Sequence, residues 1–356
     1  MAKPLILIVH GMGTHSRASV LKEFKNGIKM ALSLYEDYTL SDLESAVKLE
    51  PVIYSDLIDK HRDGLKNNAA PLAEVLSGIG GELSLVSEAA GIVNEIDAGV
   101  GGDHFFYTHG LDVILYRYTM LNETIQAKLA EAVGKGLTTR GRSSKDIHIV
   151  AHSLGTAVSH DALAKIYGTT AFDDPNLPRL DPGVSPIGSL HQVANVSRLL
   201  QSFVRARSSI VRPGSKGCLG RFNEYRHKLD PFTVPRPFDP TNNGQWISAA
   251  NFEDIYKLAI ASEVIEANTH GLAHYLANPK FHVSLLKSIW KDFRPSKATV
   301  KKATKQFVAG TVPGKARALG ELIEDVDFSS NSSVLEVVDA AKRFKDLLMG
   351  FGETFK

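Results

Sequence analysis

The 356-residue chain has a single cysteine, Cys218, so no internal disulfide framework is available and the chain fits a reducing compartment. Cys218 itself reads as a small buried residue. A surplus of charge is also missing. The 41 basic residues nearly balance 39 acidic ones, and a net charge of +2 argues against a dedicated nucleic-acid binder and implies no bulk electrostatic partner. Long apolar runs are absent too. The most apolar later segment, Leu72 to Val100, is interrupted by Glu74, Glu82, Glu88 and Glu95, which excludes a spanning helix of about 20 uncharged residues. The opening Met-Ala-Lys passes straight into an apolar strand, without the cleavable region of a secretory signal. A soluble, cytoplasmic protein is the expectation. There is no internal repeat and no low-complexity tract. With 43% apolar and 22% charged residues the composition is that of an ordinary globular chain.

Two strand-to-turn units stand out. Pro4-Leu5-Ile6-Leu7-Ile8-Val9 reads as a fully buried strand that stops at His10-Gly11-Met12-Gly13. Glycines there let bare backbone N–H groups approach an anionic oxygen. The second unit, Ile147-His148-Ile149-Val150-Ala151-His152-Ser153-Leu154-Gly155, is an apolar run that breaks at a serine with Ala and Gly two residues to either side. That is the strand, sharp turn, helix pattern of a nucleophile elbow, where the serine takes a strained backbone conformation and only small neighbours fit. Ser153 is the candidate nucleophile.

Between and after these units the periodicity alternates. Ser16 to Tyr35 carries Val20, Leu21, Phe24, Ile28, Ala31 and Leu32 at helical spacing, and a strand follows over roughly Val47 to Tyr54. Helical spacing returns from Val113 to Val133, the elbow strand spans about Asp146 to His152, and a helix starts near Thr156. Alternation of this kind predicts an α/β fold with a mostly parallel central sheet and helices on both faces. Residues 55–111 and 168–189 are too long for ordinary connections and read as insertions. The first is amphipathic and glycine-rich, either an extra helical hairpin or a lid over an acyl site. The second is a proline- and aspartate-rich surface loop. Character changes near Pro295. Arg294 to Arg317 holds seven basic residues and no acidic one, a solvated face in preference to a lipid contact. Ser333-x-x-Glu336 is a capping box ahead of the stripe Val334, Val337, Val338, Ala341, Phe344 and Leu348. The expected organisation is a main domain over 1–290 and a helical extension, 291–356, packed on it.

Val9-His10-Gly11-Met12-Gly13 and Val150-Ala151-His152-Ser153-Leu154-Gly155 resemble the α/β-hydrolase superfamily, whose lipases and esterases carry HG-x-G and a small-His-Ser-x-Gly elbow at these points. The resemblance implies the α/β-hydrolase fold and a triad in the order serine, acid, histidine. A serine hydroxyl needs that histidine to take its proton and that acid to hold the imidazole's tautomer. Seven aspartates lie between Ser153 and the later histidines: Asp161, Asp173, Asp174, Asp181, Asp230, Asp239 and Asp254. Asp230 fits best, because Arg221 to Leu229 reads as a strand that Asp230-Pro231 ends, although a plain Asp-Pro turn has the same sequence. In similar lipases the acid is often followed by proline or glycine, which supports this choice. Of the 13 histidines only His270, His274 and His282 lie far enough beyond Asp230. His270, in a glycine-flanked loop, is the preferred base and His274 the runner-up; His282 is expected on a helix surface.

The resemblance further implies that His10 and His152 support loops instead of acting as bases. It also implies that the backbone N–H groups of Met12 and Leu154, with Gly11 and Gly13 beside them, form an oxyanion hole. No H-x-H or H-E-x-x-H spacing supports a metal site at His10, His15 and His152, no third glycine completes a dinucleotide turn, and no P-loop occurs. No cofactor is expected. The reading is a serine hydrolase cleaving a carboxylic ester, hydrophobic or acyl by the composition of 72–100, through an acyl-enzyme. A thioesterase or acyltransferase with the same triad, or a non-catalytic binding protein of this fold, are the alternatives.

Overall fold

A computed structural model describes residues 2–67, 116, 121–197, 209–214, 216–230, 232–234, 237–238, 256–266 and 268–311. Most of the 55–111 insertion, the 72–100 segment and the capping box at Ser333 therefore lie outside the described residues. Six strands, β1 (Leu5–Val9), β2 (Lys48–Val52), β3 (Ile147–His152), β4 (Ser189–Val193), β5 (Phe222–His227) and β6 (Tyr256–Ala261), form one open sheet in the order β2-β1-β3-β4-β5-β6, every pair parallel. Eight α-helices accompany them among the described residues: α1 (Arg17–Leu32), α2 (Leu40–Ala46), α3 (Ser55–Asn67), α4 (Leu121–Leu137), α5 (Leu154–Tyr167), α6 (Leu272–Ala277), α7 (Pro279–Ile289) and α8 (Lys297–Ala309). This is an α/β fold.

β1 is apolar on both sides because both its faces are covered. In β1, Leu5, Leu7 and Val9 join a core with Leu129 and Val133 of α4 and Leu163 of α5, while Ile6 and Ile8 face Phe24 of α1, Leu276 of α6 and Leu285 of α7. α1 forms where its apolar stripe predicts it. Val20, Phe24, Ile28 and Leu32 are buried, and Ser16 caps the helix by accepting the Ser19 N–H at 3.1 Å. Gly27 lets α1 meet α6 closely, since a Cβ there would lie 2.8 Å from Leu276 Cβ and 2.9 Å from Ala273 Cα.

Several boundaries depart from the sequence expectations. β2 stops at Val52, before Tyr54, and α5 starts at Leu154, immediately after the serine instead of at Thr156. α2 is too short to show a periodicity and depends on its cap, in which Thr39 and Asp42 bond reciprocally to each other's N–H. Residues 168–186 carry no helix or strand. His282, expected on a helix surface, is instead fully buried in α7, where it lies on the inward stripe with Phe281, Leu285, Leu286 and Ile289. Its Nδ1–H bonds the Leu276 carbonyl at 3.1 Å, and its Nε2 meets the Tyr35 hydroxyl at 2.8 Å. α8, the described part of the basic segment, buries Ala303 and Phe307 and turns its lysines outward, with Lys302 paired to Glu36 at 2.7 Å. No helix among the described residues is long and apolar enough to cross a membrane.

The topology decides where a site can form. The chain lays β2 on one side of β1 and β3 on the other, so the loops leaving β1 and β3 diverge and open a crevice at the strands' carboxyl ends. His10–Gly13 and Ser153 occupy those two ends.

Candidate active site

β3 ends at His152, and the next residue, Ser153, sits at φ 53° and ψ −125°, a left-handed conformation that a residue with a Cβ adopts only under constraint. The constraint is local packing. Ser153 N–H continues the ladder to the Val193 carbonyl at 3.0 Å, and α5 starts at once. A Cβ on Gly155 would come within 2.5 Å of the Val9 and His10 carbonyl oxygens, which explains the glycine two places after the serine. The loop after β1 closes on the serine from the other side. A Cβ on Gly11 would lie 2.8 Å from Ser153 Cβ and 3.3 Å from Ser153 Oγ, and Gly13 takes φ 95°.

The structure brings Ser153, His270 and Asp230 into one hydrogen-bonded chain. His270 Nε2 lies 2.8 Å from Ser153 Oγ, and His270 Nδ1 lies 2.9 Å from both Asp230 oxygens. A carboxylate only accepts, so Nδ1 carries the proton facing Asp230 and the bare Nε2 accepts the serine hydroxyl. The arrangement is buried throughout, with Asp230 fully enclosed. Burial by itself raises a carboxyl's pKa, but the attraction of His270 and hydrogen bonds from His270, Tyr275 and the Phe232 N–H outweigh it and hold Asp230 below its usual range. The loops carrying Asp230 and His270 are tied together by Thr269, whose hydroxyl donates to the Leu229 carbonyl at 2.6 Å. Asp230 follows β5 after a short turn, as the strand-then-Asp-Pro pattern predicts.

The other histidines take different roles. His152 Nε2–H donates to the His270 carbonyl at 2.7 Å, pinning the His270 backbone to the residue before Ser153. Burial, then the neighbouring His270, push the His152 pKa down to about 3, so it stays neutral. His10 is likewise pushed down to about 3, by burial and then by His15, and it stacks on Tyr54 at 4.0 Å while its Nδ1–H bonds the Gly11 carbonyl at 2.8 Å. His15 Nε2–H holds the Met12 carbonyl at 2.8 Å. His274, the runner-up base, is hydrogen-bonded to neither Ser153 nor Asp230; it lies against the His227 ring at 5.0 Å, and its buried Nδ1 has no partner.

No family model matches the chain, and no curated protein or solved structure matches it. The geometry therefore stands by itself. Leu154 N–H opens α5, where no intrahelical acceptor exists, and Met12 N–H makes no hydrogen bond among the described residues. Both belong to segments flanking Ser153. No group of His, Cys, Asp and Glu residues suited to a metal ion occurs among the described residues, His10, His15 and His152 included. Cys218 is buried, and burial pushes its thiol pKa far up, away from nucleophilic use.

Sequence reasoning missed the tyrosine at this site. Tyr275 O–H donates to Asp230 Oδ2 at 2.7 Å.

Proposed function

We propose that the chain is a serine hydrolase of the α/β-hydrolase fold that cleaves a carboxylic ester through an acyl-enzyme. The observation that carries this reading is the unbroken chain Ser153 Oγ, His270 Nε2, His270 Nδ1, Asp230 at 2.8–2.9 Å, placed on a left-handed serine between a strand and a helix. Ser153 Oγ attacks the ester carbonyl as His270 Nε2 takes its proton. The new C–O bond yields a tetrahedral oxyanion, for which Met12 N–H and Leu154 N–H are the proposed donors. Collapse breaks the bond to the alkoxide, which leaves with the proton from His270. Water then repeats the sequence on the acyl-enzyme and returns free Ser153 and the acid. Asp230 holds the imidazole tautomer throughout and stabilises the imidazolium.

A hydrophobic acyl ester is the proposed substrate class, on the apolar composition of residues 72–100. The test is covalent labelling with a fluorophosphonate, read by intact mass on wild type and Ser153→Ala, with p-nitrophenyl esters of rising chain length alongside. One adduct, lost in the variant, together with turnover that rises with acyl length, is the expected result. Folded wild-type protein that takes no adduct and turns over no ester would overturn the reading in favour of a binding protein.

A further inference from the structure

Tyr275 is fully buried on α6, and its ring stacks on Phe281 at 5.2 Å. Its hydroxyl lies beside Thr233, and two further partners fix its direction. The backbone N–H of His227, the last residue of β5, lies 3.0 Å from Oη, and Asp230 Oδ2 lies 2.7 Å away. An amide N–H can only donate and a carboxylate can only accept, so the hydroxyl must accept from His227 and donate to Asp230. The direction of this relay is set by chemistry alone. Asp230 then receives three donors: Phe232 N–H on Oδ1 at 3.0 Å, Tyr275 O–H on Oδ2, and His270 Nδ1–H shared between both oxygens.

We propose that Tyr275 is a positioning residue for the triad: anchored on the end of β5, it orients the Asp230 carboxylate and draws off part of its charge, so that His270 is held with Nε2 toward Ser153. The proposal rests on the triad reading above. One short helix carries both the base, just ahead of its first turn, and the group that aims the acid. α1 holds that helix in place, since Glu23 accepts the Leu272 N–H at 3.1 Å. Other titratable rings facing Asp230 leave its charge uncompensated. His274 is pushed down to about 3 by burial and then by His227, and His227 is itself lowered by burial. Burial and the Asp230 charge raise the Tyr275 hydroxyl's pKa far above its usual value, so it is a proton donor over the whole working range.

The experiment follows the His270 Nδ1–H proton by NMR in the full chain, assigned by its loss in His270→Gln. In Tyr275→Phe the carboxylate has lost a donor and becomes a stronger acceptor, so the resonance moves downfield. Replacement of Tyr275 by 3-fluorotyrosine, a stronger donor of nearly the same shape, moves it upfield and decides the question should Tyr275→Phe fail to fold. On the ester giving turnover, kcat falls about 10-fold in Tyr275→Phe with KM unchanged. A tyrosine that only fills space would lower the probe-reactive fraction and leave the resonance in place. An unmoved resonance in the folded variants overturns the proposal. Wild-type protein that neither labels nor turns over ester overturns the hydrolase reading, while the resonance still judges Tyr275.

Discussion

Mild acid should unfold this protein, and the reason is its buried histidines. Burial holds His10, His152 and His274 down at about 3 and His148 and His282 at about 4, whereas an unfolded histidine titrates near 6.5. Because the folded values are depressed, the unfolded chain binds more protons below pH 6.5. The stability these groups contribute is complete above that pH and is lost as pH falls toward 4. At pH 5 each unfolded imidazole is nearly fully protonated and each folded one nearly neutral, which costs about 2 kcal/mol per histidine. Five such groups withdraw about 10 kcal/mol, against a typical domain stability of about 5–15 kcal/mol. Lowered carboxylates such as Asp230 and Glu263 add their own loss only at still lower pH. The assay is urea unfolding followed by tryptophan fluorescence from pH 7.5 to 4.5. The free energy should fall steeply below pH 6.5, with an uptake of several protons on unfolding. In His282→Gln, which keeps a polar group beside Tyr35, the slope should drop by about one proton. Stability that stays flat from pH 7 to pH 5 would refute the reasoning.

Gly27→Ala gains helix propensity of about 1 kcal/mol, but its Cβ meets Leu276 Cβ at 2.8 Å and the Ala273 backbone at 2.9 Å. Overpacking wins, and a net destabilisation of about 1–2 kcal/mol is expected in the urea midpoint; a stabilised variant would show that α1 and α6 are not in close contact. Gly11→Ala places a methyl 2.8 Å from Ser153 Cβ, so the serine or the loop must shift by several tenths of an ångström. If the site hydrolyses esters, kcat/KM falls by about 100-fold while thermal stability changes little; an unchanged kcat/KM would show that the loop does not abut the working serine.

What the sequence determined is local. The apolar runs ending at His10 and Ser153, the small residues around the serine and the stripe on α1 dictate strand, turn and helix without reference to the rest of the chain, whereas β4 and β6 are not legible in that alternation, Ser189 itself falling in the stretch that reads as a surface loop. Partner choice is a different matter. Sequence order left seven aspartates and three histidines in play. The tertiary structure brings His270 to Ser153 across 117 residues and to Asp230 across 40. His270 and His274 lie one helical turn apart, so no spacing rule separates them, and the site geometry rests on how α1 seats α6 against the sheet. His282 differs, since Leu285, Leu286 and Ile289 follow it at helical spacing and its place on the buried stripe was legible in the sequence. Tyr275, by contrast, was invisible. A buried tyrosine is unremarkable in sequence, and only the meeting of β5's end, the acid loop and α6 turns its hydroxyl into the third donor on Asp230.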